Sequence, residues 1–200
     1  MPEATILEIE MLDYWHCGSG KGSGDYLDRL AERDSLGLPF VPGRLLKGLL
    51  REASLCCEAL GHVPTGTALA LFGAPNSPEA HNLPGGLRVA DARLPPALRA
   101  WLGASASTPY RQALSRELFT AAVDETTGTT RERRPRGMEA IVPVTLHAAL
   151  EPLAGADLPT GWRASLALAL PLTGAVGAYR TRGLGRCAMR ILDGGTHGAV

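Results

Sequence analysis

Between Thr5 and Asp13 the residues Leu7, Ile9 and Met11 alternate with Glu8 and Glu10, the period-2 pattern of a strand with one buried face. The alternation gives way to Gly18, Gly20, Gly22 and Gly24, one at every second position. Such a run denies the backbone any regular preference and predicts a flexible or ligand-shaped loop. A helical period takes over after Pro42-Gly43, where Leu45, Leu46, Leu49, Leu50, Ala53, Cys56, Cys57 and Leu60 recur three and four apart and Gly61 stands ready to end the run. This predicts a helix from about Arg44 to Leu60. Further on, GGLRVADARL reads as a short strand, and Pro95 to Leu102 as a short helix opening on proline.

From Thr120 to Val144 a polar, turn-rich stretch lies between two short apolar runs, which predicts a protruding hairpin in preference to a core element. Leu166, Leu168 and Leu170 alternate with alanines, a strand pattern. A second alternation runs through Cys187, Met189 and Ile191, after a segment holding Gly177, Gly183 and Gly185. Strands at both ends with helices between them predict an α+β fold.

With 200 residues, 45% of them apolar, the chain can bury one sizeable core, and we expect a single domain, 1–200, carrying long insertions. No window reaches the roughly 18 apolar residues of a membrane span, and no charged-then-apolar signal segment opens the chain. A cytoplasmic protein without a membrane partner is expected. Cys17, Cys56, Cys57 and Cys187 match neither a disulfide framework nor a zinc spacing, and they read as small core residues. Twenty basic residues balance 20 acidic ones, so any nucleic-acid partner has to be argued from local clusters.

Several clusters offer such an argument. Arg44, Lys47 and Arg51 are three and four apart on one helix face, near a helix start whose free N–H groups also favour anions. The glycine loop before it, which includes Lys21, would let backbone donors approach a phosphate; the alternative is a plain surface connection. It is no P-loop, because no G-x-x-x-x-G-K-[ST] occurs. Asp25, Asp28 and Asp34 follow the loop and could hold a divalent metal or act on a ribose hydroxyl, or be solvated turn residues. His16, beside Trp15 and Tyr14, could bond RNA or stack on a base, or be structural. RERRPR places Arg131, Arg133, Arg134 and Arg136 on the predicted hairpin, in a form suited to bidentate phosphate contacts, against the alternative of a solvated loop. Arg180, Arg182 and Arg186 stand among the C-terminal glycines.

Taken in order, HCGSG, GLPFVPGRLLKGLLRE, LFG with LRVADARL, MEAIVPV and YRTRGLGRC resemble segments of the RAMP superfamily of CRISPR-associated proteins. The likeness runs from Asp13 to Met189 and is nearest to the backbone (Cas7-like) subunit of type III effector complexes. It implies a ferredoxin-like or RRM-like core, a thumb β-hairpin inserted at about 121–141 and a Gly-rich loop near the C-terminus. It also implies guide RNA (crRNA) and target RNA as partners, other effector subunits, and repeated copies of the chain in a filament. In such subunits the loop after the first strand carries an aspartate used in metal-dependent cleavage of target RNA. It lies six residues before the acidic position of a D-x-x-G-x-P turn. Asp34 in DSLGLP marks that turn, so the count falls on Asp28, with Asp25 as the second candidate and a divalent metal, Mg2+, at Asp28 if the chain is catalytic. Arg44 and Leu45 depart from the two serines common in the family after the Pro-Gly turn.

The expected function is therefore a guide-RNA-binding subunit acting as a metal-dependent endoribonuclease within an antiviral ribonucleoprotein. His16, Lys21, Arg44, Lys47, Arg51, Arg180, Arg182 and Arg186 would hold the guide backbone, and Arg131, Arg133, Arg134 and Arg136 would brace the guide–target duplex. Three alternatives stay open: a non-catalytic RNA-binding subunit, a stand-alone endonuclease that matures guide precursors, and an α+β protein with no nucleic-acid role.

Overall fold

A computed structural model of the chain describes residues 5–20, 29–74, 83–120 and 136–192. In chain order come β1 (Thr5–Met11), α1 (Gly43–Ala59), α2 (Thr67–Phe72), β2 (Leu87–Val89), α3 (Pro96–Gly103), α4 (Thr108–Ala113), β3 (Ser115–Thr120), β4 (Arg136–Ile141), β5 (Thr145–Pro152), α5 (Trp162–Ala169) and β6 (Cys187–Leu192). Four strands form one antiparallel sheet in the order β2-β5-β1-β6, and β3 pairs with β4 apart from it. The architecture is the mixed helix-and-sheet one expected.

Alternation in β1 works as predicted, since Leu7, Ile9 and Met11 are 0 to 2% exposed while Glu10 faces out. These three share a core with Leu46, Leu49 and Leu50 of α1 and with Leu146, Ala148 and Leu150 of β5. Burial of each leucine is worth roughly 1.5–3 kcal/mol. The period-2 signal of β5 is short and interrupted by alanine, and sequence reading passed over this central strand, as it did the short helix α2.

Helix α1 begins where Pro42 leaves the chain extended and its carbonyl accepts from Leu45 and Leu46 N–H at 3.0 and 3.2 Å. Gly43 is required here, because a Cβ at that position would lie 2.3 Å from the carbonyl oxygen of Val89. Its N–H donates to Asp91 Oδ1 at 2.9 Å, so the helix start is locked against the end of β2.

One expectation is corrected. The run around Leu166, Leu168 and Leu170 is helix α5, not a strand. Trp162, Leu166 and Ala169 are its buried residues, at helical spacing, Leu170 is buried in the 3-10 turn that follows, and Leu168 is 58% exposed. Of the predicted hairpin, the flanking strands β3 and β4 pair and Met138, Ala140 and Ile141 of β4 are 0 to 7% exposed, while residues 121–135 lie outside the described residues. Among the described residues no helix is long and apolar enough to cross a membrane.

Candidate nucleic-acid interface

The glycine loop has a built neck. Ser19 N–H donates to the Leu30 carbonyl at 3.0 Å, Glu32 N–H donates to that of Cys17 at 2.7 Å, and Gly18 bridges Ala31. The same neck is fastened to β4: Trp15 and Ile141 exchange N–H···O bonds of 3.0 and 2.8 Å, and Glu139 N–H donates to the Arg29 carbonyl at 2.9 Å. Lys21, Asp25 and Asp28 lie outside the described residues, as do Arg131, Arg133 and Arg134. Arg29, the first described residue after the loop, stands against β4, since it bridges Met138.

Glu139 is the bolt of this neck. One carboxylate oxygen accepts from Ala31 N–H at 3.0 Å and the other pairs with Arg33, which also donates to the Gly37 carbonyl at 2.7 Å. Burial pushes the Glu139 carboxyl up, but the Arg33 and Ala31 hydrogen bonds outweigh it and hold it below the usual range. His16 is 1% exposed, and its Nδ1 meets the Glu139 carbonyl at 2.7 Å. A carbonyl only accepts, so Nδ1 carries the proton. Burial lowers the His16 pKa, with Arg29 adding to the shift against the hydrogen bond, so the ring is neutral near pH 7. The structure thus puts His16 inside, where it ties the neck to β4, and not at the surface. Burial also pushes the Cys17 thiol up to about 12 and that of Cys187 to about 11. Cys57 is buried too, while Cys56 is exposed.

Asp34 fills the acidic position of its turn as a structural hub. Its Oδ1 accepts from the N–H groups of Leu36 and Leu38 at 2.9 and 3.1 Å. Its Oδ2 accepts from Arg93 at 3.1 Å and twice from Arg99 at 3.1 and 2.9 Å. The turn that follows the loop is thereby pinned to α3.

The C-terminal glycine segment closes on this neck from the far end of the chain. Ala178 N–H donates to the His16 carbonyl and Gly185 N–H to that of Tyr14, both at 2.8 Å. Gly177 is the residue that permits it: its φ is +93°, and a Cβ there would lie 2.4 Å from the His16 oxygen. Tyr179, two residues on, has a φ of +59°, a left-handed conformation that costs an L residue roughly 1–2 kcal/mol. Arg29 lies over its ring at 5.3 Å and Arg182 at 5.7 Å from the centroid.

The predicted cations therefore fall into separate places. Arg44 is exposed and Lys47 and Arg51 half-buried, along one flank of α1 with no ion-pair partner among the described residues. Arg180 is exposed and lines a cavity of about 320 Å³ with Leu49, Glu52 and Cys56; at 100° per residue that is the opposite flank of α1. Arg186 pairs with Asp13 at 2.9 Å. The backbone of Arg136 opens β4. Sequence reading missed Arg29, Arg33, Glu139 and Tyr179. Of these only Tyr179 carried a local signal, as the one aromatic among the arginines and glycines of its segment. Among the described residues no three His, Cys, Asp or Glu side chains gather as metal ligands, and His16 and Asp34 are already committed to hydrogen bonds.

Comparison with protein families matches residues 8–188 to the model of the RAMP superfamily. Comparison with curated protein sequences finds no match. Among solved structures, a chain of the type III-B Cmr-beta complex bound to cognate target RNA superposes with a TM-score of 0.70 at 12% identity, covering 94% of this chain and 97% of that one. A chain of the same complex in its apo state superposes at 0.67 and 12% identity, covering 96% and 98%. At that identity the likeness is one of fold.

Proposed function

The chain belongs to the RAMP superfamily, and from that premise we propose that it is a guide-RNA-binding subunit of a type III-like CRISPR effector complex, assembling in copies along the guide and cleaving complementary target RNA. The strand order β2-β5-β1-β6, with α1 after the first strand and α5 before the last, supports a ferredoxin-like reading of the core. The pairing of β3 with β4 supports a thumb between them. The fold likeness to a complex solved with cognate target RNA supports RNA and neighbouring effector subunits as partners.

One observation carries the reading. The neck of the glycine loop, the start of β4 and the C-terminal glycine segment meet at one place. Around it Arg29 and Arg182 are exposed, and the stripe Arg44, Lys47 and Arg51 lies on α1. Contacts to phosphate and ribose from such groups are indifferent to sequence, which leaves target selection to base pairing by the guide.

In the cleavage step the 2′-hydroxyl of a target ribose attacks the adjacent phosphorus. The bond to the 5′-oxygen of the next nucleotide breaks and that oxygen takes a proton from water, leaving a cyclic phosphate and a 5′-hydroxyl. Asp28 would take up or polarise the hydroxyl proton, or hold a divalent ion such as Mg2+, which when bound would stabilise charge on the phosphate oxygens. Glu139 and His16 hold the base of the loop that carries it.

The test is made with the assembled complex, matched RNA and Mg2+. Asp28→Ala abolishes regularly spaced cleavage, while RNA retention is unchanged. Asp25→Ala run beside it decides between the two carboxylates. Intact target with both the wild type and Asp28→Ala assigns the chain a non-catalytic role. Cutting of repeat RNA by the isolated chain without metal assigns it to guide maturation.

A further inference from the structure

We infer that Tyr179 is a positioning residue that gathers Arg29 and Arg182 into one clamp for a phosphodiester of single-stranded RNA. The inference rests on the RNA-binding reading above and adds a subsite to it.

Three independent observations carry it. Tyr179 is the one non-glycine residue with positive φ among the described residues. Its segment uses glycine wherever conformation alone is needed, at Gly177, Gly183 and Gly185, each with φ between +75° and +93°. An aromatic ring held in that conformation against its own preference is a side chain retained for what it touches.

What it touches is two guanidinium groups from opposite ends of the chain. Arg29 closes the glycine loop, Arg182 ends the short 3-10 turn Arg180–Arg182, and both lie within 6 Å of the same ring centroid. The backbone turn at Tyr179 is itself what sets Arg182 in place, since the Tyr179 carbonyl accepts from Arg182 N–H at 2.8 Å.

The third observation is that neither charge has a carboxylate partner among the described residues. Arg33 is spent on Glu139, Arg93 and Arg99 on Asp34, Arg186 on Asp13 and Arg190 on Glu8. Arg29 and Arg182 are exposed, with no carboxylate partner among the described residues. Two guanidinium groups fixed on one aromatic ring suit an oxyanion with several acceptor oxygens. The neighbouring His16, already neutral, offers no competing cation. A backbone phosphate of RNA has the matching charge and geometry, and the clamp would register the strand against the loop neck.

The test uses the full chain with a fluorescently labelled single-stranded oligoribonucleotide, titrated at a series of salt concentrations, with thermal unfolding measured in parallel. Tyr179→Gly removes the ring and the backbone strain together. It should keep or raise Tm, weaken binding about tenfold and make the salt dependence shallower by about one phosphate contact. Tyr179→Phe keeps both ring and guanidinium groups and should bind like the wild type. On an Arg29→Ala, Arg182→Ala background, Tyr179→Gly should cost nothing further. Wild-type binding with Tyr179→Gly within twofold of it overturns this inference alone. A Tm several degrees lower in Tyr179→Gly makes the ring a packing residue and also overturns it. A wild type whose RNA binding is absent or salt-independent overturns the functional reading and this one with it.

Discussion

Asp34→Asn preserves the shape of a carboxylate whose side chain is 3% exposed and removes its charge. The wild-type group accepts five hydrogen bonds, two from backbone N–H groups and three from Arg93 and Arg99. An asparagine can still serve the backbone pair through its oxygen, but its NH2 then faces two guanidinium groups, donor against donor. Hydrogen bonds to a charged group are worth about 1.5–3 kcal/mol each. The three arginine bonds do not add, because Arg93 and Arg99 are 36% and 33% exposed and return in part to water, and Arg93 keeps Asp91 at 2.8 Å. The expected loss is about 2–4 kcal/mol at pH 7, overlapping the lower part of the range for stranding one member of a fully buried pair. For a chain of this size that is a fall in Tm of roughly 5–12 °C. The pH dependence is the sharper test. Burial pushes the Asp34 carboxyl up, but the hydrogen bonds from Leu38, Arg99 and Leu36 outweigh it and hold it below its ordinary 3.8. A depressed carboxylate contributes its stability above the unfolded-state value and loses it as pH falls through the folded one. Urea unfolding of the two proteins should therefore show a constant gap from pH 8 to about 5, narrowing below about 4. A gap under about 0.5 kcal/mol at pH 7, or one unchanged down to pH 3, would refute the hub.

Gly43→Ala sets a methyl carbon against the Val89 carbonyl at the docking point of α1, where backbone cannot yield cheaply. The expected destabilisation is about 2 kcal/mol or more, read by urea midpoint, although alanine is the better helix former. His16→Gln should flatten the decline of stability between pH 7 and 5.5. The wild-type imidazole, with its lowered pKa, contributes fully above about 6.5 and loses that contribution as acid charges it. An identical slope in the two proteins would contradict the neutral, buried ring. Replacing Arg44, Lys47 and Arg51 with alanine should weaken RNA affinity equally across sequences and reduce the salt slope by about one per cation in contact; an unchanged slope removes α1 from the interface.

Elements whose residues meet one face of the core are legible in the amino-acid sequence alone. β1 and α1 announce themselves because burial selects every second or every third and fourth residue. α5 shows how the same rule misleads: Leu166, Leu168 and Leu170 alternate, yet Leu166 and Leu170 are also one helical turn apart and continue from Trp162, while alanine favours the helix. The candidate site is legible as a set of segments and not as an arrangement. That His16 is buried depends on Glu139, 123 residues away, and nothing near either residue in the chain records the pairing. Arg186 reads as a free cation in the sequence and is neutralised by Asp13, a partner brought by the closing of the C-terminal segment on the strand exit.

That closing also sets a clock on the molecule. Leu12, Tyr14 and His16 take their backbone partners from Arg186, Gly185 and Ala178, and β1 takes β6 along one whole edge. A growing chain carries its first strand and its glycine loop long before those partners exist. At roughly 5–20 residues per second a ribosome needs on the order of ten seconds or more to supply them. Until then β1 has a bare edge and the loop neck lacks one of its walls. The surface described above is thus the last part of the molecule to be finished, and a truncated or stalled chain retains a hydrophobic strand without the site it was meant to build.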